Sequence, residues 1–199
     1  MPLKSPEISH SVINAQLKLA TLNLNEFATY FKLTNKRTIE KQAALYVVRN
    51  VLNDDTLDIL YQESGKPYLS NNIKISISHS YDWLVVLFSF NGIDIGVDIE
   101  KVRNKILNIK DKFLSLQELK DLKAASLEKY TVYWCIKEAV YKAVGTIGLI
   151  FEEHIHIEDF IYSQKGGKIN AQVNYSDLKK TYTLHYQTLN EYILVYTTN

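Results

Sequence analysis

The sequence predicts an α+β fold built as two similar lobes, on three observations. Stretches 38–52 and 130–144 place apolar residues at helical spacing. Each is followed by apolar runs of strand length, alternating or continuous. The segment Asp82-Trp83-Leu84-Val85-Val86-Leu87-Phe88 is echoed by Glu191-Tyr192-Ile193-Leu194-Val195-Tyr196-Thr197, and a long helix precedes each. The echo divides the chain into lobes at 1–95 and 96–199, joined near Gly92 to Gly96. Chance similarity between two apolar strands accounts for the echo equally well.

The first helix, Thr38 to Leu52, buries Ile39, Ala43, Tyr46, Val47 and Val51, with Thr34 or Asn35 as its cap. Gly65-Lys66-Pro67 is a turn. Ile73, Ile75 and Ile77 alternate with Lys74, Ser76 and Ser78, the pattern of a half-buried strand. Trp83 to Phe90 reads as a buried strand, and Asn91-Gly92 as a hairpin turn. Ile93 to Glu100 then alternates apolar with acidic or small residues, giving a strand with one apolar and one acidic face. Lys112 to Ala124 reads as a helix, with Ser115 and Glu118 at capping-box spacing. A stronger helix, Tyr130 to Val144, is stopped by Gly145. Strands follow at 154–161, 167–173, 182–188 and 192–196.

Bulk properties narrow the function. The chain has 199 residues, 46% hydrophobic and 23% charged, ordinary for a globular protein. A net charge of +1 argues against a general nucleic-acid binder. Cys135 is the single cysteine, so no intramolecular disulfide forms. No apolar run resembles a signal peptide's core or is long enough to span a bilayer, which makes a cytoplasmic protein the expectation.

The chemistry concentrates in a few places. Asp98 and Glu100, two apart on a strand, project from one face. Paired carboxylates repel unless a cation neutralises them, and magnesium takes one or two carboxylates plus waters and phosphate. The solvent face of an amphipathic strand explains the same pair. Glu138 and Lys142 share a helix face with Trp134; an exposed ion pair is the plainer explanation. Ser78-His79-Ser80 can donate to a phosphate or merely cap a turn, and Lys66 can face an anion. His154, His156 and Glu158 on one strand face are a possible transition-metal set, adequately explained by strand alternation.

Taken in order, Gly65-Lys66-Pro67, Ile77-Ser78-His79-Ser80, Gly96-Val97-Asp98-Ile99-Glu100 and Trp134-Cys135-Ile136-Lys137-Glu138-Ala139-Val140-Tyr141-Lys142-Ala143 resemble the 4′-phosphopantetheinyl transferases, specifically the larger Sfp-type enzymes. The resemblance covers roughly 36–150. It implies a pseudo-dimer of two α/β lobes with the active site in the cleft between them, and a monomer suffices for one site. It implies transfer of 4′-phosphopantetheine from coenzyme A to a serine of an acyl or peptidyl carrier protein, with Mg2+. Asp98, Glu100 and Glu138 match the family's magnesium-binding acids, and Lys142 its active-site lysine. Lys66, Pro67, Ser78 and His79 match coenzyme A contacts, and Arg37 a residue meeting the 3′-phosphate. Glu118 matches an acid that rivals Glu138 as the catalytic base. Cys135 stands where the family usually has Ser or Thr; it is not read as a nucleophile. Lys32, Lys36 and Lys41 have no assigned match. The bias of seven basic over three acidic residues from Lys101 to Lys123 suits docking of an acidic carrier. A non-catalytic coenzyme A or carrier-protein binding module is the alternative function, and a magnesium-dependent phosphohydrolase a third.

Overall fold

The structure, a computed structural model, describes residues 4–199 and divides after Asp94 into two compact units. All strand pairs in both units are antiparallel, so helices and sheet segregate as in an α+β chain.

The first unit opens with a hairpin of β1 (Ile8–Asn14) and β2 (Leu17–Asn23). Asn14 Oδ1 accepts from the Gln16 and Leu17 amides, which closes the turn. Helix α1 (Leu24–Phe31) follows, capped by Asn23, then α2 (Lys36–Leu52), capped by Asn35. The two-residue strands β3 (Leu60–Tyr61) and β4 (Pro67–Tyr68) flank the Gly65 turn, where φ is +81°. Strands β5 (Lys74–Ser80) and β6 (Trp83–Ser89) complete a sheet of order β1-β2-β6-β5. Ala43, Ala44, Val47 and Val48 of α2 pack on Leu22, Ile75, Leu84, Val86 and Phe88.

The second unit begins with β7 (Val97–Lys101), two short 3-10 turns at Asn104–Asn108 and Lys110–Lys112, and α3 (Leu116–Asp121). The long helix α4 (Leu127–Val144) ends on Gly145 at φ +67°. Then come α5 (Phe151–His154), β8 (Ile155–Ile157), β9 (Gly167–Tyr175), β10 (Leu178–Leu189) and β11 (Tyr192–Thr197). The sheet order is β7-β11-β10-β9-β8, and α4 lies on β7 and β11. The echoed segments are both interior strands, β6 between β2 and β5, and β11 between β7 and β10.

Several expectations need correction. Asn91-Gly92 turns no hairpin, because β6 and β7 belong to different sheets. Asn91 Oδ1 instead accepts from Ser89 Oγ and the Ile93 amide. The hairpin lies one strand earlier, at Tyr81-Asp82, with Tyr81 itself at φ +49°. The strand expected from Ile93 starts only at Val97. The expected helix at 112–124 shortens to Leu116–Asp121, after the 3-10 turns. Strand β5 keeps its alternation but is not half-buried: Ser76, Ser78 and Ser80 are buried, as is Ile75 on the other face.

Candidate active site

The acidic face of β7 turns inward, with Asp98 buried and Glu100 half-buried. Asp98 pairs across the ladder with Val195, and Glu100 with Ile193. Directly opposed residues share a face, and Val195 and Ile193 belong to the core under α4 together with Cys135, Ile136 and Ala139. Asp98 and Glu100 therefore point toward α4, and Asp98 is only 3% exposed. Val97 and Ile99 take the other face and are also buried.

Gly96 sets how closely the helix approaches. A Cβ there would stand 1.7 Å from the Ala139 carbonyl oxygen and 3.0 Å from the Ala143 amide. The glycine permits the backbones of strand entrance and helix to touch, which brings the acids of β7 within reach of α4. Gly96 is held in turn by Thr197, whose Oγ1 accepts from its amide at 2.9 Å.

From α4, Trp134, Glu138 and Lys142 project at successive i, i+4 positions on one face. Lys142 Nζ donates to Asp98 Oδ1 at 2.7 Å and to the Val97 carbonyl at 3.0 Å. Trp134 Nε1 makes a long 3.4 Å contact to Glu100 Oε1, and its ring meets Phe113 edge-on. Burial pushes the Glu138 carboxyl up to about 7, Asp98 adds to the rise, Lys142 opposes it, and Glu100 adds again. Asp98, Glu100, Glu138 and Lys142 thus form one coupled cluster.

The donor set fits magnesium. All its oxygens come from carboxylates, the ligand type magnesium takes, and Lys142 is the cation that already pairs with one of them, Asp98. Among the described residues no three His, Cys, Asp or Glu side chains stand close enough to cage a metal by themselves. Magnesium does not require such a cage, since waters and substrate phosphate fill most of its octahedron.

Glu118 lies elsewhere. Its Oε2 accepts from the Ser115 amide at 2.8 Å, completing the capping box, and from Lys137 Nζ at 2.8 Å. Its Oε1 accepts from the Ile157 amide at 3.3 Å. Lys137, one residue from Glu138, was not singled out by sequence: a lysine beside a glutamate on a helix reads as surface. Cys135 is fully buried, and burial, with Asp98 and Glu100, raises its thiol well above the ordinary range, which keeps it protonated. His154 Nδ1 accepts from the Ile150 amide, and Glu158 binds Asn170 and Gln172, so both have structural work.

In the first unit, His79 lies on the same face of β5 as Ile75 and Ile77, with Nδ1 3.3 Å from Glu40 Oε1 of α2. Glu40 went unrecognised as its neighbour, because nothing in the spacing links helix to strand. Ser78 faces the other way and is buried. Arg37 stands exposed in the first turn of α2, with Lys36 beside it and Lys41 one turn on. A helix N-terminus with three cations attracts anions. Lys66 Nζ donates to Asp94 Oδ1 at 2.8 Å, and Pro67, half-buried, opens β4.

The 4′-phosphopantetheinyl transferase superfamily model matches residues 94–197, just over half of the chain. A 4′-phosphopantetheinyl transferase of Bacillus subtilis is 36% identical over 90 residues, 42% of this chain and 39% of its own. The transferase Sfp of Bacillus subtilis strain 168 is 35% identical over 111 residues, 50% of this chain and 49% of its own. The gsp transferase of Aneurinibacillus migulanus is 32% identical over 101 residues, 48% and 42% respectively. The chain thus matches less than half the length of each of these relatives.

Proposed function

The chain belongs to the 4′-phosphopantetheinyl transferase superfamily, and from that premise we propose that it is a transferase that moves 4′-phosphopantetheine from coenzyme A to a serine of an apo acyl or peptidyl carrier protein. The observation that carries the reading is the coupled cluster of Asp98, Glu100, Glu138 and Lys142. A binding module has no use for a half-buried carboxyl pushed up to about 7 beside two others.

In the proposed reaction the serine oxygen bonds to the pantetheine-bearing phosphorus of the pyrophosphate. The bond from that phosphorus to the bridging oxygen breaks, and adenosine 3′,5′-bisphosphate leaves. Glu138, or a water it orients, accepts the serine proton. Lys142 contributes positive charge beside the transferred phosphate and keeps Asp98 oriented. Asp98, Glu100 and Glu138 are the residues that would hold magnesium together with waters and substrate phosphate, and the ion would supply neutralisation of charge on the pyrophosphate. Arg37, Lys66, Pro67, Ser78 and His79 are assigned as coenzyme A contacts, and Glu40 as the group that orients His79. The carrier docks on the segment after β7, where Arg103, Lys105, Lys112, Lys120 and Lys123 are exposed. Burial of Glu118 leaves that surface more basic than the sequence count implied. No helix of the described residues is long and apolar enough to cross a membrane, and we assign the reaction to the cytoplasm and to a monomer.

The test incubates the protein with coenzyme A, magnesium and an apo carrier protein, then weighs the carrier. A mass gain of one phosphopantetheine arm is expected. Coenzyme A binding without mass gain would instead assign a binding module, and coenzyme A cleavage without a carrier a hydrolase.

A further inference from the structure

Glu118 and Lys137 form a closed polar assembly inside the second unit. Lys137 Nζ is 0% exposed and has three acceptors: Glu118 Oε2 at 2.8 Å, the Ile155 carbonyl at 2.6 Å and the Phe151 carbonyl at 3.1 Å. Three donors thus meet three acceptors. Glu118, 8% exposed in its side chain, receives the Ser115 and Ile157 amides besides the ammonium. One ion pair therefore ties α3, α4, α5 and the start of β8. Burial pulls the Lys137 ammonium down from its ordinary range, and the charge and hydrogen bond of Glu118 oppose that. Three of the carboxylate's roughly four lone-pair sites are taken by the chain's own donors, and its burial keeps the remaining one away from a substrate hydroxyl.

We propose that Glu118 is a positioning residue and not a base: with Lys137 it locks the segment that carries the exposed cations Lys112, Lys120 and Lys123 to the helix that carries Glu138. The inference rests on the proposed transfer reaction for its kinetic arm. Lys137 and Glu138 are adjacent on α4 but face different neighbours. Lys137 meets Glu118, while the charges acting on Glu138 are those of Asp98, Lys142 and Glu100. Slack in the lock would rotate or slide α4 against the docking segment, so a bound carrier would present its serine off line from Glu138. Misplacement on the ångström scale costs up to about 100-fold in rate.

The experiment compares Glu118→Gln, Lys137→Met and the double variant. Expected are a fall in kcat of between about 10- and 100-fold for Glu118→Gln, an unchanged KM for coenzyme A, and an unshifted acidic limb of the pH–rate profile. Lys137→Met alone leaves a carboxylate buried without its cation, so it should lose more activity and melt lower than the double variant, which is neutral throughout. Amide exchange at Ser115–Asp121 and Phe151–Ile157 should accelerate in Glu118→Gln while β10 and β11 stay protected. Loss of the acidic limb in Glu118→Gln, or a double variant no better than Lys137→Met, would overturn the lock. The exchange arm uses no substrate. Absence of transfer by the wild type would therefore count against the proposed reaction, and unchanged exchange in Glu118→Gln against the lock.

Discussion

Replacing Glu138 by Gln should lower the transfer rate by at least about 100-fold, the usual worth of a general base, and at the same time stabilise the protein above pH 7. The two effects share a cause. Burial and the charge of Asp98 raise the carboxyl from 4.5 to about 7. Between those values the native chain holds a proton that the unfolded chain has released, so stability falls as pH rises. The contribution is fully present below 4.5 and lost as pH passes through about 7. Above that, the ionised carboxylate costs on the order of 2–3 kcal/mol. Glu138→Gln removes the cost, so its melting temperature should exceed wild type by about 5 °C or more at pH 8, with a much smaller gain at pH 5. Scanning calorimetry at the two pH values decides it. An equal gain at both, or a loss at pH 8, would show that the fold does not resist ionisation of Glu138. The group proposed to react is the group whose ionisation the fold resists.

The second large effect is expected at Gly96. In Gly96→Ala the new Cβ meets a carbonyl oxygen at 1.7 Å, an overlap that no rotamer change relieves because both partners are backbone. Helix α4 must move off β7. Overpacking costs roughly 1–3 kcal/mol and occasionally more, and this backbone overlap lies at the upper end, so the melting temperature should drop by roughly 10 °C. The displacement also separates Lys142 from Asp98, now 2.7 Å apart. Any folded fraction should therefore lose transfer activity beyond what its population explains. A variant that melts within about 2 °C of wild type would disprove the close approach. Gly65, where an added Cβ meets nothing within 4 Å, is the contrasting case: its constraint is the φ of +81° and not space.

Much of this arrangement was legible in the sequence because periodicity encodes which side chains share a face. Asp98 with Glu100 on a strand, and Trp134, Glu138 and Lys142 on a helix, could be grouped by spacing alone. What spacing cannot tell is which face looks inward. The alternation in β7 resembles a solvent-facing acidic strand, yet Val97, Asp98 and Ile99 are buried and Glu100 is half-buried, and only the ladder to β11 places the acids under α4. The same limit applies to β5, whose Ser76, Ser78 and Ser80 are buried despite their polarity. The pairing of Glu118 with Lys137 was not legible for a related reason. A capping-box glutamate and a lysine 19 residues later carry no local sign of meeting, because the pairing depends on how the 3-10 turns fold the chain back. The hairpin at Tyr81-Asp82 was missed because the left-handed residue is a tyrosine, whereas the nearby Asn91-Gly92 advertised a turn that serves a loop. The terminal β1–β2 hairpin and α1 went unread because β1 is an exposed, largely polar strand at the sheet edge.

Asp98, Glu100 and Glu138 are proposed to share one divalent cation. That sharing is tested most directly by counting protons as magnesium is titrated into the protein with coenzyme A at pH 7, in two buffers of different ionisation enthalpy. A cation beside a carboxyl that titrates near 7 must displace the proton it still holds. The wild type should therefore release about half a proton per ion more than Glu138→Gln does. Equal release by the two proteins, with magnesium bound in both, would contradict the shared site.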